Sequence, residues 1–114
     1  MSAISTHVLD TARGLPAAGI NVSLERRAED GRWDHVGRGH TDNEGRLRSL
    51  YPAHEPLRPG VYRLTFDTQR YFDSLDTIAF YPEVVVVFET ATGEAHYHVP
   101  LLLSPFGFST YRGT

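Results

Sequence analysis

Short runs in which apolar and polar side chains alternate recur along the whole chain, and a sustained 3.6-residue apolar pattern is nearly absent. Alternation at period two turns one face of a strand toward a core and the other toward water, so the chain is committed to sheets. In residues 61–66, Val61, Arg63 and Thr65 stand against Tyr62, Leu64 and Phe66, and in residues 20–25, Ile20, Val22 and Leu24 stand against Asn21, Ser23 and Glu25. Further strands are expected over residues 4–9, 33–39, 83–89, 95–103 and 106–112, with a very short one at 47–50. Turn signals separate them: RGLPAAG, Asp30-Gly31, TDNEGR, the proline-bearing YPAHEPLRPG, Thr92-Gly93 and SPFG. Residues 68–78 hold the one helical pattern, with Tyr71, Phe72 and Leu75 at helical spacing. The expected fold is all-β, a two-sheet sandwich of seven to eight strands with one short helix.

Nothing divides this pattern: no internal repeat, linker or low-complexity segment interrupts it, and 114 residues suit one domain spanning 1–114. Composition then narrows the chemistry. The chain has no cysteine, which removes disulfides, thiolate nucleophiles and zinc–thiolate or iron–sulfur sites. All 11 basic residues are arginine, so lysine Schiff bases, lysine general bases and a P-loop lysine are also absent. A net charge of −3 with no basic patch argues against nucleic acid as a partner. The start, MSAISTHVLD, lacks a cationic segment followed by an apolar one, and the longest apolar runs fall far short of the about 20 residues that span a membrane. The expectation is a soluble, cytoplasmic protein without a membrane partner.

The six histidines are the side chains best suited to proton transfer near neutral pH. His96 and His98 are expected on one face of a strand, a spacing that suits two metal ligands. No third-ligand motif accompanies them, so polar residues on a solvated face outweigh a metal site, and no metal or cofactor enters the reading. His7 shares a strand face with Ser5 and Leu9, opposite Ile4, Thr6 and Val8. A hydrolytic site without Cys, Lys or metal needs His or a carboxylate as base, and Arg or backbone amides to hold an oxyanion. His7, His98 and Arg46 supply those residue types, although sequence alone does not bring them together. Asp67, Asp73 and Asp76 form no paired-carboxylate motif and read as loop and helix N-terminal acids. The closing Tyr111, Arg112, Gly113 and Thr114 follow directly on a strand pattern.

Five segments together resemble the transthyretin-like 5-hydroxyisourate hydrolases: STHVLDTARGLPAAGI from Ser5, TDNEGR from Thr41, GVYRLTF from Gly60, FYPEVVV from Phe80 and HYHVPLLLSPFGFSTYRGT from His96. The H-V-L-D and G-x-P-A-x-G elements are shared with the transthyretins, the thyroid-hormone carriers. The H-x-H-x-P-L-L-L-S-P and Y-R-G-[ST] elements separate the hydrolases from them. The resemblance implies a homotetramer, a dimer of dimers with active sites in the channel between dimers. It implies a site lined by His7, Arg46 and His98 and completed by Tyr111, Arg112, Gly113 and Thr114, where the usual family tail has serine in place of Thr114. Arg48 lies two residues beyond Arg46, and the G-R match selects Arg46.

The implied activity is hydrolysis of 5-hydroxyisourate to 2-oxo-4-hydroxy-4-carboxy-5-ureidoimidazoline in urate degradation, with no cofactor. One histidine would activate water while the other positions it or protonates the leaving nitrogen, and Arg46 or Arg112 would stabilise the oxyanion; which histidine is the base stays open. The rival is a carrier for an aromatic small molecule on the same fold, without catalysis. Assembly has a physical motive as well. The Val84 to Val87 run is a hazard on an exposed edge, and pairing with a second copy would cover it.

Overall fold

The alternating runs pair into two sheets whose buried rows face each other. A computed structural model describes residues 3–114. Met1 and Ser2, the first residues of the start read above for a targeting signal, lie outside the described residues. The first sheet has the order β2 (Leu15–Pro16), β1 (Ile4–Asp10), β8 (Tyr97–Ser104), β9 (Gly107–Thr110), with β5 (Arg46–Leu47) also paired to β1. The second has the order β4 (Trp33–His40), β3 (Asn21–Arg27), β6 (Gly60–Phe66), β7 (Val84–Thr90). Ile4, Thr6 and Val8 of β1 are fully buried, as are Leu24 of β3 and Tyr62, Leu64 and Phe66 of β6. Leu101 and Leu103 of β8 complete that layer, so the core is the space between the sheets. The expected sandwich is therefore present, its seven longer strands joined by two two-residue ones.

β1 and β8 run parallel over seven residue pairs, from Ile4 opposite Tyr97 to Asp10 opposite Leu103. A parallel pair cannot be joined by a hairpin, so this pairing brings the two ends of the sequence side by side. Asp30-Gly31 turns β3 into β4 as its sequence predicts, with the Gly31 amide bonded to Ala28 O at 2.9 Å. The helix α1 (Thr68–Ser74) is shorter than residues 68–78. Asp67 caps it by accepting from the Arg70 amide at 3.3 Å. It ends because Asp76 takes a left-handed conformation (φ 52°), which directs the Thr77 amide to Phe72 O at 2.9 Å and the Asp76 amide to Asp73 O at 3.0 Å.

Two further details differ from the sequence reading. RGLPAAG contains the two-residue strand β2, paired at the end of β1 through Leu9–Pro16 and Asp10–Leu15. Pro16 lacks an N–H and is tolerated because β2 is an edge. β8 begins at Tyr97, whose amide bonds to Ala3 O at 2.8 Å, so His96 stands one residue outside the strand. No helix among the described residues is long and apolar enough to cross a membrane.

Candidate active site

The face of the first sheet turned away from the core collects the chemistry. The β1–β8 register sets Ser5 opposite His98 and His7 opposite Pro100, and the β1–β5 pairing sets Arg46 opposite His7. Paired residues share a face, so residues far apart in the chain form two adjacent rows there. The TDNEGR turn delivers Arg46. Asp42 Oδ1 accepts from the amides of Glu44 and Arg46, both at 2.9 Å, and the Asp42 amide returns a bond to Arg46 O at 2.9 Å. The bond from the Arg46 amide is the largest influence holding the Asp42 carboxyl below its ordinary value. Gly45 (φ 78°) closes the turn where a side chain would collide with Val8 O, whose residue donates its amide to Gly45 O at 2.8 Å.

His98 is held on three sides. Its Nδ1 lies 2.9 Å from Ser5 Oγ. Its Cδ2 edge is covered by Gly113, where a Cβ would come within 2.7 Å, and the Gly113 amide donates to His98 O at 2.8 Å. Nε2 is then the ring nitrogen without a hydrogen-bond partner among the described residues. Burial pushes the His98 imidazole below its ordinary value of 6.5, and the positive charges of His7, Arg46 and Arg48 push in the same direction. At neutral pH His98 is therefore an uncharged base. His7 is oriented differently: its Nε2 donates to Glu44 O at 2.8 Å, since a carbonyl only accepts.

These groups border a pocket of ≈ 590 Å³. Of the residues expected from sequence, Arg46, His98, Arg112, Gly113 and Thr114 line it. His7 stands in the neighbouring row, close enough for its charge to act on His98. Tyr111 lies apart, lining a groove of ≈ 420 Å³ beside Val87 of β7 and Tyr97. Arg112 touches both spaces, with its guanidinium 4.5 Å from the Tyr97 ring centre and 3.6 Å from Glu94 Oε2. Ser5 and Arg48 also line the pocket, although the sequence motifs select neither. Period two places Ser5 with His7, but only the parallel register, a long-range fact, pairs it with His98. His96 lines the pocket from outside the strand, and among the described residues no group of three or more His, Asp or Glu is placed to hold a metal ion.

A larger hollow of ≈ 670 Å³ lies on the second sheet, bordered by Arg38, His40, Asp67 and Glu83. Its charges are mixed, and Asp67 is engaged as the helix cap. Of the two, the pocket at His98 is the one that sets a base held below its ordinary value beside arginines with no acidic side chain in the lining.

Comparison with known proteins bears on this site. The family model described as HIUase/Transthyretin family matches residues 4–113. The chain is 45% identical over 111 residues to the 5-hydroxyisourate hydrolase of Salmonella dublin, covering 97% of this chain and 80% of that protein. The structure of Klebsiella pneumoniae 5-hydroxyisourate hydrolase superposes with a TM-score of 0.84 at 34% identity, covering 99% of this chain and 100% of the other. Sea bream transthyretin, solved in complex with thyroxine, superposes with a TM-score of 0.91 at 31% identity, covering 98% of this chain and 95% of the other. The backbone is thus shared by a hydrolase and a carrier, and side chains must separate them. The sandwich topology and these matches agree that the chain belongs to the HIUase/Transthyretin family.

Proposed function

We propose that this protein is a cyclic amide hydrolase that opens the ring of 5-hydroxyisourate to give the ureidoimidazoline carboxylate of urate degradation. The observation that carries the reading is His98, its Nε2 without a hydrogen-bond partner among the described residues, beside Arg46 and Arg112 in a pocket that no acidic side chain lines; burial holds its imidazole below the ordinary value. A carrier for a hydrophobic aromatic ligand would favour apolar and hydroxyl groups there. The 45% identity to a protein named 5-hydroxyisourate hydrolase supports the same choice.

In this reading His98 removes a proton from water as the oxygen attacks the ring carbonyl. Arg46 and Arg112 hold the oxyanion that forms, in a position where preorganised positive charge lowers the barrier. The tetrahedral centre then collapses, the C–N bond breaks, and the leaving nitrogen takes a proton from the His98 imidazolium. His7, fixed through Glu44 O, orients the water, and Gly113 and Thr114 complete the binding site, whereas Tyr111 stands in the neighbouring groove. No cofactor takes part. We further propose a single domain over 1–114, assembly as a homotetramer and a cytoplasmic setting. Exposed Val85 and Val87 on the edge strand β7 support assembly, and the absence of cysteine suits the cytoplasm. The test is kinetic. His98→Asn and Arg46→Gln should each lower kcat/KM by a factor of about 100 to 10,000, with sedimentation unchanged, whereas His96→Asn should have a modest effect. Retention of more than half the activity by His98→Asn would remove its catalytic role.

A further inference from the structure

The pocket at His98 has an unusual charge balance. In a chain of net charge −3, Arg46, Arg48 and Arg112 converge on it with two histidines, and none of its lining residues is Asp or Glu. Their existing partners do not account for that charge. Arg112 stacks on Tyr97 and pairs loosely with Glu94. Arg46 Nε is buried with no hydrogen-bond partner, a costly state for a charged group unless a ligand completes it. No hydrogen bond or ion pair engages the Arg48 guanidinium among the described residues. Asp42 feels the charges of Arg46 and Arg48, but its Oδ1 accepts from two backbone amides and it forms no salt bridge with either guanidinium among the described residues.

We infer that Arg48, together with Arg46, forms a carboxylate-binding half of this pocket, with Arg48 a further ligand-binding residue. The inference rests on the hydrolytic reading for its natural ligand. Ring opening adds water across an amide: the carbonyl carbon gains an oxygen and loses its nitrogen, and that nitrogen keeps one proton of the water. The resulting carboxylic acid ionises and releases the other proton. A negative charge thus appears at the carbon where the amide was, and two unpaired guanidinium groups suit it. The site should therefore prefer a planar cyclic imide that bears a carboxylate over the same ring without one.

Orotate and uracil are such a pair. Calorimetric titration of the intact protein needs no turnover, so its outcome is separate from that of the hydrolase assay. Wild-type protein should bind orotate at least about ten-fold more tightly than uracil. Arg48→Gln should weaken orotate about ten-fold and leave uracil unchanged, while Arg48→Lys stays within about three-fold of wild type, because a point charge keeps most of the attraction. Arg48 is exposed, so both variants should melt with the wild type. Equal affinities for orotate and uracil in the wild type, or an Arg48→Gln protein that binds orotate like the wild type, would overturn the inference even if 5-hydroxyisourate is hydrolysed.

Discussion

Gly113→Ala isolates the positioning of His98 from the chemistry of its ring. Gly113 is not among the glycines with positive φ, so alanine meets no backbone strain there. The added methyl would lie 2.7 Å from His98 Cδ2 and 3.2 Å from Pro100 Cγ. Carbon atoms in ordinary contact sit about 3.5–4.0 Å apart, so the ring or the tail must yield by about 0.8 Å. A displacement near 1 Å at a reacting group costs on the order of 100-fold. The stability cost should be small by comparison, about 1 kcal/mol of overpacking and a fall in Tm of about 4 °C, because the tail is exposed on its other side. Steady-state kinetics and thermal melting on the same preparation separate the two effects. Gly107→Ala is the control, since a Cβ there meets only Ser104 Oγ at 3.8 Å. If Gly113→Ala keeps more than half of the wild-type kcat/KM, contact with the tail is not what places His98.

Other consequences follow from the same geometry. Ser5→Ala leaves His98 Nδ1 unpartnered and should lower kcat about ten-fold, corresponding to about 1.4 kcal/mol, while Ser5→Thr restores most of the rate. Equal rates for Ser5→Ala and wild type would remove that role. Because His98 is held below its ordinary value of 6.5, the acid limb of kcat/KM should fall below pH 6.5. Arg48→Gln removes a repelling charge, stabilises the imidazolium and should move that limb to higher pH, which a pH–rate profile reads directly. Sedimentation at micromolar concentration should give a species near four times 12.8 kDa, and Val87→Lys on the β7 edge should shift it to smaller species. A fully active monomer contradicts this.

What the sequence made legible was whatever depends on local period. Tyr62, Leu64 and Phe66 alternate in the chain and are all buried in the core, and His7 stands on the face opposite Ile4, Thr6 and Val8. Whatever depends on pairing was not legible. The parallel register that sets Ser5 against His98 joins residues 93 positions apart, and no local pattern encodes it. The end of α1 escaped for another reason: a left-handed Asp76 stops the helix, although the apolar spacing continues to Leu75. His96 lies one residue before β8, yet it lines the same pocket as His98, as the period-two spacing predicts. The G-R motif selects Arg46 over Arg48, whereas the fold brings both to one pocket. The placement of Tyr111 beside β7 likewise depends on how the tail crosses the sheet and not on any spacing in the chain.

The most direct measurement is the absorbance decay of 5-hydroxyisourate, made fresh by urate oxidation, with and without the purified protein and with no added metal or cofactor. The account predicts decay faster than the spontaneous reaction, in proportion to protein concentration, and loss of that acceleration in His98→Asn. Decay at the spontaneous rate with folded wild-type protein would contradict it.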